Sequence, residues 1–487
     1  GEKKRSHCLL NGKHQVLEGV RSLMDIIQHV LQAFLQVAEK VLDVLEGEAT
    51  FPSFELKLRE ELDELGRNIC TEVMEATDKW LKDNPKERKG WIVERTNEPK
   101  RVVTTFGEMS FKRTYYYNKK TGEYAHLADL AAGLEPHAKT DQAVRAVLVD
   151  AAADVSYRKA GKQACPSSPE WELSGQTVMN TVRRTKLDKP ASCNRGPKAK
   201  VRVLHVQADE DHVPRQDGGT TLAKLVYTTE GYGPSQGKRR RLINVHYTAG
   251  VYQDNEALYR EVYEGIDSAY DIDSIEKIYV CGDGAAWIRG LADYLGADFL
   301  LDKYHINKCI NESLAFCPEV RREVAQAVAG FDLAAVKAAL KKARQQAATE
   351  AEKERTARCR KYLVGNWDGI YAWKTEGSIG CSAEGHVSHV LSARLSSRPM
   401  AWSETGADKM AKLRAMKANG VCIRDYVLDN AAVNLKTITK AVRQYIPRQR
   451  QQLLKDSMEV LGNLPALHSS VWSLRRALRD ISTTVTI

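Results

Sequence analysis

Val203-Leu-His-Val-Gln-Ala-Asp-Glu-Asp (203 to 211) and Lys277-Ile-Tyr-Val-Cys-Gly-Asp-Gly (277 to 284) decide how this chain is read. Each is an apolar run, rich in β-branched residues, that stops at a carboxylate. A strand carries the side chain at its end to a fixed point on the sheet edge, so two such strands side by side bring Asp209 and Asp283 together. Like charges at that distance repel unless a cation lies between them. A divalent metal site is the simplest expectation, and on a chain of formal net charge +10 it suggests phosphodiester chemistry. The period of a strand puts Asp209 and Asp211 on one face and Glu210 on the other. Asp209 directly ends the apolar run and is the expected ligand, with Asp211 as the alternate.

The pattern around these runs is α/β. Strands are expected at 201–208, 222–229 and 242–250, then a helix at 254–268, a strand at 277–282, a helix at 285–295 and a strand at 297–301. Three hairpin strands followed by alternating helix and strand is the order of an RNase H-like sheet. Asp302-Lys-Tyr-His305 closes the last strand, at the carboxyl edge of the sheet, where an Asp and a His three apart can orient a phosphate, a water or a metal ligand. Residues 306–376 read as almost wholly helical, an insertion. Ser382 then offers an N-cap to a helix with Glu384 in its first turn, a candidate third ligand.

Outside this core, apolar residues from Leu17 to Leu45 recur at spacings of three and four, a heptad seam that suits either a bundle or a dimerisation helix. Segment 91–135 is rich in β-formers, and Arg113 lies among the aromatic residues Tyr115 to Tyr117, as on nucleic-acid surfaces. Segment 136–195 reads as helices resembling a helix-turn-helix, with Thr177, Asn180, Arg183 and Arg184 on its last, polar-faced helix. Lys238, Arg239 and Arg240 form a basic turn suited to phosphate contact. The expected organisation is multidomain α/β plus α. It comprises a helical N-terminal region (1–90), a small β-rich segment (91–135), the helix-turn-helix-like domain (136–195) and the first part of an RNase H-like domain with a mixed sheet (196–305). The helical insertion (306–376), the helix with the third acidic residue (377–398) and a helical basic C-terminal region (399–487) complete it.

Composition narrows the classes. A chain of 487 residues is too long for one core. It has no run of eighteen apolar residues, so no membrane partner is expected. The N-terminal Gly1-Glu-Lys-Lys-Arg is followed by no long apolar core, so no secretory signal is expected. Ten scattered cysteines without a Cys-x-x-Cys pair suit reduced thiols rather than a disulfide framework or zinc finger.

Further motifs carry a resemblance. Thr105-Phe-Gly-Glu, Ala208-Asp-Glu-Asp-His-Val, Gly282-Asp-Gly-Ala-Ala-Trp-Ile, Asp302-Lys-Tyr-His and Gly380-Cys-Ser-Ala-Glu-Gly-His-Val-Ser-His-Val-Leu-Ser resemble those of DDE transposases of the bacterial ISLre-type insertion-sequence family, related to Mutator-like transposases. The resemblance covers most of the chain. It implies a catalytic triad of Asp209, Asp283 and Glu384 holding two Mg²⁺ (or Mn²⁺) ions, with Asp302 and His305 as accessory residues. It implies cleavage of double-stranded DNA at element ends, joining of 3′ ends to target DNA, and a homodimer or higher oligomer in the bacterial cytoplasm, at the nucleoid when DNA is bound. Two other readings fit the same residues: a metal-dependent nuclease of RNase H fold that does not join, and a domesticated DNA-binding protein without strand transfer.

Overall fold

The computed structural model describes residues 30–47, 49–163, 172–187, 198–234, 240–374, 378–398 and 400–432. The chain divides into two units, one of residues 1–152, 156–181 and 424–487, the other of 153–155 and 182–423. The expected segments 136–195 and 399–487 therefore each contribute to both.

The first unit begins with the helix 30–45 (α1); the earlier part of the heptad seam lies outside the described residues. Helix α2, Phe51–Asp83, starts where the Thr50 side chain accepts the Ser53 N–H and Pro52 occupies the first turn. Strands β1 (Trp91–Thr104), β2 (Gly107–Asn118) and β3 (Tyr124–Ala125) form an antiparallel sheet in that order. Gly107, at φ 108°, opens β2 after the tight turn, a conformation that favours glycine. Met74 and Leu81 of α2 pack with Val102, Met109, Phe111 and Tyr116 of the sheet. Helices α3 (Leu127–Ala131), α4 (Gln142–Asp154), α5 (Tyr157–Lys162) and α6 (Gly175–Arg184) follow. Ser174 caps α6, its Oγ accepting the Thr177 N–H at 3.2 Å.

The second unit is built on β4 (Val203–Pro214), β5 (Thr220–Thr229), β6 (His246–Gly250), α7 (Asn255–Ala269), β7 (Lys277–Gly282), α8 (Ala286–Leu295) and β8 (Asp298–Leu301). Its five strands form one mixed sheet in the order β6-β5-β4-β7-β8. The hairpin pairs are antiparallel, and β4–β7 and β7–β8 are parallel. Two boundaries differ from expectation. The third strand starts at His246, and Leu242 makes only an isolated bridge to Tyr232. Strand β4 does not end at the acidic cluster but runs through it to Pro214, with Asp209 opposite Leu225 of β5. The apolar run stops where it does because the parallel pairing to β7 ends at Gln207–Cys281. From there until Pro214, whose carbonyl accepts the Trp402 N–H at 2.9 Å, β4 is paired by β5 alone, and polar residues can line it.

Alternation along β4 sorts its residues. Leu204, Val206 and Ala208 pack with Leu258, Val262 and Ile266 of α7 and Ile288 and Leu291 of α8. His205, Gln207 and Asp209 take the other face, as do Tyr279 and Cys281 of β7, which pack with Leu300, Trp373 and Cys381. After β8 come α9 (Lys303–Ser313), α10 (Pro318–Ala329), α11 (Leu333–Gln346), α12 (Glu350–Gly365) and α13 (Trp367–Tyr371). They share a core of Ile306, Ile310, Val320, Val336, Leu340 and Leu363, so the segment after β8 is helical. The chain returns to the sheet with α14 (Ala383–Val387), a π-helical turn at Ser388–Ser392, α15 (Ala393–Leu395) and α16 (Glu404–Ala418). Asn419, just after α16, accepts the Tyr247 N–H at 2.7 Å and donates to the Tyr247 carbonyl at 2.9 Å, so the edge strand β6 is satisfied there. Helix α17, Ile423–Ala432, ends the described chain. Among the described residues no helix is long and apolar enough to cross a membrane.

Candidate active site

Three parallel-paired strands deliver acidic side chains to one edge and one face. Asp209 lies two residues past the last β4–β7 pair, Asp283 directly follows β7, and Asp302 directly follows β8. The Asp302 N–H donates to the Gly282 carbonyl at 2.8 Å, which continues the β7–β8 ladder to this level. All three fall on the parity of Gln207, Cys281 and Leu300, the face opposite α7 and α8. Glu210 faces the other way, accepting the Trp287 Nε1–H at 2.7 Å, as its parity requires.

The fourth acid arrives from far along the chain. Glu384 sits in the first turn of α14, and the sheet holds that helix by a buried glutamine. Gln207 Oε1 accepts the Ser382 N–H at 2.7 Å and also the Tyr227 hydroxyl, and its Nε2 donates to the Gly380 carbonyl at 3.0 Å. The His386 ring stacks on Tyr227 with centroids 4.2 Å apart, and its Nδ1 meets the Tyr247 hydroxyl at 2.7 Å. Ser382 was expected to cap this helix through its side chain. It makes no such cap bond, because its hydroxyl lies 2.8 Å from that of Tyr227. The anchoring role thus passes to the sheet. Gln207, Tyr227, Tyr247 and His386 are the residues that sequence reading missed as site builders. The available signal was Gln207, a polar residue two positions before Asp209 and on the same face of the strand.

The result is a compact cluster. Ligand atoms of Asp209, His305 and Glu384 all lie within 4.8 Å of one another. Asp209 is buried, His305 half-buried and Glu384 exposed, so the cluster opens to solvent on the Glu384 side. Burial pushes the Asp209 carboxyl up to about 6; the neighbouring Asp283 and Glu384 charges push the same way, while the Glu210 N–H and His305 oppose them. His305 is held by Asp302, whose Oδ2 accepts from its Nδ1 at 2.9 Å while Oδ1 accepts the Tyr304 N–H at 2.9 Å as the N-cap of α9. That hydrogen bond, followed by the Asp302, Asp209 and Asp283 charges, raises the His305 pKa above its ordinary value against the effect of burial.

Asp283 is near enough to act electrostatically on Asp209 and His305, but its carboxylate is not among the atoms within 4.8 Å. Its Oδ1 accepts the Ala285 N–H at 2.9 Å, and its carbonyl accepts the Tyr362 hydroxyl at 2.8 Å. Gly284 follows at φ 92°, and a Cβ there would meet Asn366 Oδ1 at 2.9 Å, so the insertion packs directly on this turn. The alternate ligand, Asp211, stays out of the cluster: its Oδ1 accepts the Ser396 hydroxyl at 2.8 Å.

The residues expected to touch DNA have mixed placements. Arg113 is not on a free surface; its side chain is 12% exposed and pairs with Asp129, so it serves the fold of the first unit. Asn180 and Arg184 are exposed and Thr177 is half-buried. Arg183 donates to Ser403 Oγ at 2.7 Å. Arg240 is exposed, its guanidinium 5.8 Å from the centroid of the Tyr232 ring; Lys238 and Arg239 lie outside the described residues.

Fold and site together define a mixed α/β protein with carboxylate and imidazole donors gathered at the end of parallel strands, a set whose chemistry fits a divalent cation. Residues 46–430 match the family model described as "Uncharacterised protein family (UPF0236)", and the chain belongs to that family. A UPF0236 protein of Caldanaerobacter subterraneus subsp. tengcongensis, named after four loci, is 38% identical over 94% of this chain and 97% of its own length. Another from the same organism, named after eleven loci, is 36% identical over 94% of this chain and 97% of its own length. A Streptococcus gallolyticus protein named "UPF0236 protein in vanSb 3'region" is 26% identical over 68% of this chain and 75% of itself.

Proposed function

We propose that this chain is a DNA transposase that cleaves phosphodiester bonds at the ends of an element and joins the 3′ ends to target DNA. The observation that carries the reading is the convergence of Asp209 and Glu384, from segments separated by a whole helical insertion, on one cluster beside Asp283. A fold has no reason of its own to gather acids at such an edge, since their repulsion costs stability. The sheet order β6-β5-β4-β7-β8, with an antiparallel hairpin half and a parallel half, supports an RNase H-like domain interrupted by the insertion. Relatives named after four and eleven loci support a gene present in many copies per genome, as mobile elements are.

Asp209, Asp283 and Glu384 would hold the divalent ions, Mg²⁺ or Mn²⁺, which when bound supply activation of the attacking oxygen and stabilisation of the leaving 3′-oxygen. The chain's own part is placement. Gln207 and Tyr227 fix the approach of Glu384 to the sheet, and Asp302 fixes the ring of His305. The ladder to β8 sets Asp302 level with Asp283. The exposed apolar side chains Val30, Phe34 and Leu45 of α1 support an oligomer, which concerted cutting of two ends requires.

A strand-transfer assay with labelled element ends and a supercoiled target tests this. The wild type should give joined product, while Asp283→Asn and Glu384→Gln should each lose cleavage and joining but keep DNA binding. Cleavage without joining would leave a nuclease in place of a transposase. DNA binding without cleavage would leave the domesticated DNA-binding protein.

A further inference from the structure

We propose that His305 is itself a metal ligand of this site, oriented by Asp302, and that the nitrogen donor makes the site favour Mn²⁺ over Mg²⁺. The inference rests on the reading that the cluster takes a divalent cation. It departs from that reading by replacing an all-carboxylate set with a mixed one.

The geometry that carries it is the membership of the cluster. Among the described residues, the one group of potential ligand atoms within 4.8 Å of one another is Asp209, His305 and Glu384, two oxygens and a nitrogen. Of the three acids expected to hold the ions, Asp283 is the one left outside that group. Nor is His305 a ring that drifted there. Its Nδ1 is held at 2.9 Å by Asp302, which leaves Nε2 as the nitrogen free to coordinate. Asp302 is 3% exposed and fixed twice more, by the Tyr304 N–H on its Oδ1 and by its own N–H on the Gly282 carbonyl. A second ring, Tyr304, meets His305 edge to face at 5.2 Å between centroids. A carboxylate behind an imidazole that faces other donors is the usual support of a histidine ligand, because it fixes both ring orientation and tautomer.

The chemistry of the donors then sets the preference. Mg²⁺ binds oxygen in near-ideal octahedra and keeps its waters. Imidazole suits later first-row metals, and Mn²⁺ accepts both nitrogen and carboxylate oxygen.

The test uses the full chain and Mn²⁺ alone. Manganese binding is followed by electron paramagnetic resonance, and the spin-echo modulation reports whether a nitrogen is bound. Wild-type protein should show ¹⁴N modulation that changes to the ¹⁵N pattern when the histidines are ¹⁵N-labelled, a readout that needs no substitution. His305→Gln should lose the modulation, and Asp302→Asn should weaken Mn²⁺ binding about 10- to 100-fold. Mg²⁺ should displace Mn²⁺ less readily from the wild type than from His305→Gln. Mn²⁺ bound without nitrogen coupling overturns the inference while leaving the cation site standing, and so does unchanged affinity in His305→Gln. No Mn²⁺ binding by the wild type overturns both.

Discussion

Replacing Gln207 with leucine tests whether the sheet holds Glu384 in place. Gln207 is 1% exposed, and its amide serves three partners: the Ser382 N–H, the Gly380 carbonyl and the Tyr227 hydroxyl. Leucine fills similar volume but offers none of these bonds, so the cost is polar rather than a cavity. At about 1 kcal/mol per lost bond, and more where a group stays buried and unpaired, the loss is about 3 kcal/mol. For a unit of this size that corresponds to roughly 6 to 12 °C in Tm. The same change frees the segment leading into α14, so Glu384 no longer meets Asp209 at a fixed distance. Misplacement by about 1 Å is enough for a loss near 100-fold in activity. The assay pairs thermal melting with Mn²⁺ titration and strand transfer. Glu384→Gln is the comparison: Glu384 is exposed and its carboxylate makes no hydrogen bond or ion pair among the described residues, so it should lose metal binding with little change in Tm. If Gln207→Leu lowers Tm as calculated yet keeps wild-type Mn²⁺ affinity, the glutamine stabilises the fold without positioning the acid, and the reasoning fails.

Two further outcomes follow from the same unit. Glu261 is half-buried on α7 and accepts the Tyr252 hydroxyl at 2.6 Å; burial raises its pKa, with Asp408 and Glu264 adding to the rise and Tyr252 and Lys412 opposing it. Its folded pKa lies above the unfolded one, so its contribution is fully present below the unfolded pKa and is lost as pH rises through the folded one. Glu261→Gln should therefore raise Tm near neutral pH and lose that advantage at about pH 4, where the unfolded carboxyl also protonates; a gain independent of pH in a thermal-shift series refutes it. Gly284→Ala puts a methyl 2.9 Å from Asn366 Oδ1 and 3.1 Å from Leu301 Cδ1 at a left-handed φ, so it should cost about 1–3 kcal/mol by chemical denaturation, and wild-type stability would show that the turn after Asp283 is slack.

Much of the fold was legible because its signals are local. The β-branched runs at 203–208 and 277–282 and the helical texture after residue 305 became the elements expected of them. The errors fell where a local pattern depends on a distant neighbour. The polar stretch at 209–211 read as a strand end, but it marks only the place where β4 loses its parallel partner. Arg113 read as a surface cation because Lys112 and three tyrosines surround it in sequence, whereas a buried Asp129 sixteen residues on claims its guanidinium. Nothing in the string of residues announces that pairing.

The site divides along the same line. Each acid was readable by type and context, since Asp209, Asp283, Asp302 and Glu384 all sit at element starts, ends or pairing limits. Which of them share a cluster was not readable, because that depends on how far each strand runs and on what grips the returning helix. His305 entered as an accessory on its spacing from Asp302; its place between Asp209 and Glu384 is set by the β8 ladder and the N-cap of α9. Asp283, which the motif Gly282-Asp-Gly makes conspicuous, turns one oxygen to its own loop instead. A site in which the conspicuous acid stands back while a histidine stands forward has one consequence for catalysis. Binding of a first cation would rest on Asp209, His305 and Glu384, and Asp283 would be recruited when substrate or a second cation arrives. Asp283→Asn should then spare most Mn²⁺ affinity in the absence of DNA while abolishing cleavage, whereas Glu384→Gln should lose both; equal loss of Mn²⁺ by the two variants would place all three acids around the first ion and refute that order.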